Sequence, residues 1–155
     1  MNPKHHLKIF SQKEKQNIVE KLKKQFGVKD VNGIFLKRGR ERLFLFQGNL
    51  KNNQIKELEQ TIPIERVGVY FGKVINDEIR LSIEGTHILK NQITKNIFEL
   101  DKEQAEQWMK GQELNVKTEK KGFLIMKYKD DFLGCGKASE LKIGNFIPKS
   151  RRLKK

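Results

Sequence analysis

The stretch from Gly122 to Arg152, GFLIMKYKDDFLGCGKASELKIGNFIPKSRR, constrains the fold of this chain more than any other. Phe123, Leu124, Ile125, Met126 and Tyr128 form an apolar run without polar alternation, the pattern of a strand buried on both faces. The turn Lys129-Asp130-Asp131 then leads into a second strand, Phe132 to Ala138, running back against the first. Gly134 and Gly136 lie two apart, so an unbroken strand places both on one face and leaves that face without side chains. Such a face admits another backbone or a ligand at close range. Behind it, Pro148 precedes a basic run.

The remainder of the chain divides into short elements. Ser11 and Glu14 have the spacing of a capping box, and Ile18, Val19, Leu22 and Phe26 recur at helical intervals before Gly27, predicting a helix over 12–26. Gly33 to Arg38 and Arg42 to Gln47 flank Gly39-Arg40-Glu41 as a hairpin. A second helix is expected over 53–60, with Ile55, Leu58 and Ile62 inward and Pro63 ending it. With the helix–hairpin–helix set complete, a boundary is expected between Thr61 and Arg66. A piece of about 60 residues buries only about 60% of its unfolded surface, so it should pack firmly on the second half of the chain.

Strands predominate beyond the boundary. Val67 to Gly72 and Lys73 to Leu81 read as strands about an Asn76-Asp77 turn, followed by a short helix over 84–91 and a strand over 97–100. Asp101 and Gln104 form a second capping box for a helix through Trp108 that stops at Gly111, and Glu113 to Val116 reads as a further strand. Several short strands around one or two helices are the pattern of a small β-barrel with helical insertions.

The charge balance of +14, from 33 Lys and Arg against 19 Asp and Glu, makes a polyanion the default partner. No window approaches 18 apolar residues and MNPKHHLKIF lacks a signal-peptide core, so a soluble, cytoplasmic protein without membrane contact is expected. Cys135 is the only cysteine, which excludes an internal disulfide and thiolate clusters for zinc or iron–sulfur. Gly134-Cys-Gly136-Lys137-Ala138 is not a phosphate loop, because Asp131 and Ala138 replace the Gly and the Ser or Thr which that motif needs. Cys135 with His87 as a nucleophile pair has no supporting pattern, and His5 and His6 have no second pair at ligand spacing. No catalytic residues, cofactor or metal are expected.

Five fragments in series resemble a known family. They are Phe71-Gly72-Lys73; Arg80-Leu-Ser-Ile-Glu84-Gly85; Asp101-Lys-Glu-Gln-Ala-Glu-Gln-Trp108-Met-Lys-Gly111-Gln-Glu-Leu114; Leu133-Gly134-Cys-Gly136-Lys137; and Lys142-Ile-Gly-Asn145-Phe-Ile-Pro148-Lys-Ser-Arg151-Arg152. In this order they resemble PUA and PUA-like RNA-binding domains, and the last is similar to the closing segment of the PUA-like domain of Nol/Nop/Sun-type RNA cytosine-5 methyltransferases. The two-domain layout resembles that of Nip-type ribosome-biogenesis factors. The resemblance implies an α+β chain: a small N-terminal α/β domain (1–63) packed on a C-terminal PUA-like pseudo-barrel with short helices (66–152), then a basic tail (153–155). It further implies a non-catalytic protein binding structured ribosomal or transfer RNA during RNA modification or ribosome biogenesis. An adaptor that recruits an RNA methyltransferase or assembly factor is the alternative, suggested by the phenylalanines of the hairpin Ile34 to Gln47.

Candidate RNA contacts follow from that implication and from charge. Lys137, Lys142, Lys149, Arg151 and Arg152 cluster towards the C-terminus with Lys154 and Lys155, suited to phosphate contacts or to a solvated tail. Lys73, Lys90, Asn91 and Lys95 are carried over from the resemblance, which places a helix and the last strand together at the RNA. Gly72, Gly85, Gly134 and Gly136 serve either close RNA approach or tight barrel corners. Asn145 suits a base edge, a sugar hydroxyl or the end of a strand. Trp108 and the phenylalanines are core residues by spacing, though such rings also stack bases. The hairpin turn from Lys37 to Arg42 is either a second RNA contact or a solvated loop.

Overall fold

The computed structural model describes residues 7–48, 52–60 and 68–154. The expectations for Leu58 packing, Ile62, Pro63, the Thr61–Arg66 boundary, His5, His6 and Lys155 lie outside the residues or side chains so described. The chain divides into two compact units, Met1–Arg80 and Leu81–Lys155. This division falls later than the one read from the sequence, because the strands after residue 68 complete the first sheet instead of starting a new one.

In the first unit, strand β1 (Leu7–Ile9), helix α1 (Gln12–Phe26), strands β2 (Ile34–Arg38) and β3 (Arg42–Phe46), helix α2 (Asn52–Glu59), and strands β4 (Val69–Ile75) and β5 (Glu78–Leu81) come in order. The strands form one sheet in sequence order, β1-β2-β3-β4-β5. Helix α1 starts where the capping box predicts: Ser11 and Glu14 satisfy each other's backbone N–H groups. Ile18, Val19, Leu22 and Phe26 make its buried stripe, and Gly27 closes it in the left-handed conformation. Gln25 ties this helix to the sheet by pairing with both backbone groups of Ile79, donating to its carbonyl at 3.1 Å and accepting from its N–H at 2.7 Å. The Asn76-Asp77 turn has positive φ at both residues (49° and 68°), the backbone that joins two strands with matching twist. Leu36, Phe44 and Ile55 form a buried cluster ringed by Leu7, Ile9, Ile34, Phe46 and Tyr70.

The second unit holds helix α3 (Ile83–Ile88), strand β6 (Ile97–Glu99), helix α4 (Lys102–Met109), strands β7 (Gly122–Tyr128), β8 (Asp131–Ala138) and β9 (Ile143–Asn145), and a 3-10 turn at Lys149–Arg151. Its sheet order is β6-β7-β8-β9. Among the described residues the strands form this ladder and the five-stranded one, a mixed α+β architecture. The short strand expected at Glu113 to Val116 is reduced to one bridge, Leu114 to Ile143. Strand β7 is covered on both faces, as its composition predicts, with Phe123, Leu124, Ile125 and Met126 all buried. Its neighbour β6 is parallel to it, with Ile97 opposite Ile125, and the chain passes from one to the other through α4.

Trp108 is the largest fully buried side chain of the molecule. Its indole Nε1 donates to the carbonyl of Leu133 at 3.0 Å, laying the ring on β8. A Cβ on Gly136 would stand 2.7 Å from the Trp108 ring and 2.5 Å from Ile143, so the face left bare by glycine is filled by the protein's own core. Gly134 has a different task. The register between β7 and β8 shifts here, with Ile125 opposite Cys135 but Lys127 opposite Phe132, so β8 carries one extra residue. Gly134 takes φ 84° in this bulge, a conformation that glycine adopts without a side-chain penalty. The two glycines therefore do not share an empty ligand-facing surface. Trp108 likewise is no base-stacking platform, because its side chain is fully buried.

Replacing Gly136 by Ala overpacks this core and is expected to lower stability by about 1–3 kcal/mol, read as a lower urea midpoint. In the first unit, Glu14 and Asp77 carboxyls are held below their ordinary range, first by hydrogen bonds from Lys8 and Lys21 respectively. Depressed folded-state pKa values stabilise above the ordinary carboxylate range, about pH 4, and this contribution is lost as pH falls through the folded-state values. The double variant Glu14→Gln, Asp77→Asn should therefore show a smaller drop in melting temperature between about pH 6 and pH 3 than the parent.

Candidate nucleic-acid interface

Helix α3 is fixed on β8 before any charge is considered. Ser82 caps it by accepting from the Gly85 N–H at 2.9 Å. Ile83, Gly85 and Thr86 are buried, and the Thr86 hydroxyl donates to the Ile83 carbonyl at 2.6 Å. His87 Nε2 lies 2.8 Å from the Phe132 carbonyl, so that nitrogen carries the proton and donates to it. His87 is thus a strut between α3 and β8, and buried Cys135 is a small strand residue. Leu89 and Ile93 anchor the segment after α3 in the interior, while Lys90, Asn91 and Lys95 between and beyond them are exposed.

The C-terminal segment is held against this helix. Arg151 in the 3-10 turn pairs with Glu84 in the first turn of α3. Arg152 is half-buried, donates from Nε to the Ile147 carbonyl at 3.0 Å, and lies where a side chain on Gly111 would be. Asn145 is fully engaged: Nδ2 donates to the carbonyls of Trp108 (2.8 Å) and Gln112 (3.0 Å), and Oδ1 accepts from the Ile147 N–H at 2.8 Å. It clasps the end of α4 to the end of β9. A base would have to displace these bonds to reach it. Lys142 is exposed but paired with Glu113 at 3.1 Å.

Three groups therefore emerge from the ten residues singled out in the sequence. Lys90, Asn91, Lys95, Lys137 and Lys149 are exposed, and among the described residues none of these lysines is held in an ion pair. Lys142, Arg151, Arg152 and Asn145 are committed to partners inside the unit. Lys73 belongs to β4 in the first unit. Buried Gly72 and Gly85 present no surface of their own.

One residue is not singled out by the sequence reading. Phe146 is 38% exposed, and its ring packs at 6.3 Å on that of Phe123, over which the Lys137 ammonium lies at 5.7 Å. An exposed aromatic ring beside a lysine is a pairing suited to stacked bases and phosphates. The alternation in Ile143-Gly-Asn-Phe-Ile147, with both isoleucines buried, carries the signal that Phe146 faces outward. No group of three or more His, Cys, Asp or Glu among the described residues is arranged to hold a metal ion. No helix among them is long and apolar enough to cross a membrane.

Residues 95–153 match the family model of the methyltransferase RsmF PUA domain. The chain is also similar to the ribosomal RNA small subunit methyltransferase F of Psychromonas ingrahamii, 23% identical over 145 residues. That similarity covers 90% of this chain and 29% of the relative, so the chain spans less than a third of the protein it matches. A match of that length reaches into the first unit as well as the second. The matched family segment contains α4, β7, Trp108, Gly136 and Asn145, the residues that build the core and clasp described above. The chain carries a PUA-like domain of the kind found in Sun-type RNA methyltransferases.

Proposed function

We propose that this chain is a non-catalytic RNA-binding protein of ribosomal RNA modification, and that its second unit is the module that meets the RNA. The observation that carries this reading is the PUA-domain match over 95–153 together with the exposed cations Lys90, Lys95, Lys137 and Lys149 and the exposed ring of Phe146. The lysines supply phosphate contacts that are insensitive to sequence, and Phe146 offers an exposed ring on which an unpaired base can stack. The relative's name, a ribosomal RNA small subunit methyltransferase, supports ribosomal RNA of the small subunit as the first RNA to test. The family match lies in the binding domain, which supports recognition as the activity. In the hairpin Ile34 to Gln47, Phe35 and Phe44 are buried within the first unit, which supports RNA recognition over the adaptor alternative.

Binding of labelled small-subunit ribosomal RNA fragments and of transfer RNA, followed by fluorescence anisotropy, should weaken steeply with salt. The triple variant Lys90→Ala, Lys95→Ala, Lys149→Ala is expected to reduce the slope of log affinity against log salt by roughly 2 to 3, at about 0.7 to 0.9 for each phosphate no longer neutralised. Its unfolding midpoint should stay at that of the parent. Absence of binding to either RNA at low salt overturns the reading. Asn145→Ala should behave in the opposite way: it leaves two carbonyls and one N–H without their partner, lowering stability by about 1–3 kcal/mol while leaving the salt slope unchanged.

A further inference from the structure

The first unit carries a second feature suited to a polyanion. Strand register places Leu7, Arg38, Arg42 and Lys73 in one row across β1, β2, β3 and β4, each directly opposite the next. Residues directly opposite share a face of the sheet, and like charges there destabilise the pairing. Arg38, Arg42 and Lys73 nevertheless occupy three consecutive places. The next row on that face holds Ile9, Leu36, Phe44 and Tyr70, and the Arg42 guanidinium lies 5.1 Å from the Tyr70 ring and 5.6 Å from the Phe44 ring. Phe44 is buried, whereas Tyr70 is half-buried and Arg42 exposed. Among the described residues no carboxylate forms an ion pair with Arg42 or Lys73. Glu41 of the adjoining turn lies outside the row, and its backbone carbonyl accepts from the Val74 N–H at 2.9 Å.

We propose that the cross-strand row Arg38, Arg42 and Lys73, with Tyr70 beside it, is a second RNA-binding surface, taking the phosphodiester backbone of a single-stranded or looped segment. Arg42 is held over two rings and, among the described residues, is in no ion pair with a carboxylate, so its guanidinium is oriented before the ligand arrives and keeps its donors for phosphate. Lys73 extends the row by one phosphate. Tyr70 supplies a ring on which the adjoining base can stack. An anion in this position also relieves the repulsion between Arg42 and Lys73, which face each other across β3 and β4. This surface rests on the reading that the polyanion is RNA, and it is built from residues of the first unit alone.

The test uses the full chain, the same labelled ribosomal RNA fragment, and two sets of variants. Arg42→Gln, Lys73→Gln should lower the salt slope by roughly 1.4 to 1.8, at about 0.7 to 0.9 per phosphate, with the second-unit lysines intact. Ultraviolet crosslinking of the unmodified protein to the RNA, with the crosslinked peptide mapped by mass spectrometry, should mark the peptide containing Tyr70. This second readout decides the matter if the double variant does not fold. An unchanged slope together with no crosslink at Tyr70 overturns the proposal. If in that case Lys90→Ala, Lys95→Ala, Lys149→Ala still lowers the slope, RNA binding by the second unit stands. Loss of all binding by the parent protein fails both. Binding of a poly-glutamate peptide that vanishes in Arg42→Gln, Lys73→Gln, with the RNA slope unchanged, assigns the row to an acidic protein segment and also overturns the proposal.

Discussion

The second unit depends on the seating of one indole ring. Trp108 packs on β8 where position 136 has no side chain, and its N–H donates to the Leu133 carbonyl next to the bulge at Gly134. The Trp108 carbonyl in turn accepts from Asn145, which also fixes Gln112 and Ile147. An apolar contact, a buried donor and an amide thus join α4 to β8 and β9, which already share a backbone ladder. Buried polar groups that are fully satisfied in this way specify one arrangement of a core, and partly satisfied ones undo it. Every buried side-chain N and O atom among the described residues has a partner.

That dependence gives several residues with the look of a binding site a structural task. Glycine pairs, an asparagine at a strand end and an arginine near the terminus have the composition of a nucleic-acid face, and in this molecule they close the core. The exposed cations differ from them in one physical respect. They lie outside the network, on segments pinned by buried neighbours: Lys90 and Lys95 beside Leu89 and Ile93, and Lys149 after Ile147. A charge on a pinned segment gives up little further freedom when it meets a phosphate, so more of the attraction appears as affinity.

Local signals were legible from the sequence, and long-range pairing was not. Both capping boxes, the Arg42 hairpin, the Asn76-Asp77 turn and the double-sided burial of β7 are dictated by neighbours within a few residues, and the structure has each of them. The parallel pairing of β6 with β7 is invisible locally, because β6 is only three residues long and its partner lies beyond a helix. The sheet to which β4 and β5 belong is invisible for the same reason. Their alternation says that they are strands but not which sheet they extend, and β4 pairs back onto β3 through Leu43 and Gly72. Lys73 accordingly sits in the first unit and not in the second. The fate of Asn145 was undecidable in the sequence, since an amide that ends a strand and an amide that reads a base have the same neighbours.

The order of the elements also sets the order in which the chain can become structured as it is synthesised. All five strands of the first sheet are present once Leu81 has been made, and this unit can fold while the rest is still emerging, as domains synthesised earlier generally do. The second unit has no such early stopping point. Ile143 and Ile147 belong to its buried cluster, and the Leu153 N–H donates to the Met109 carbonyl, so Trp108 remains without its cover until that segment is free. Translation therefore passes through an interval in which a finished sheet is followed by an apolar, unfinished partner sequence.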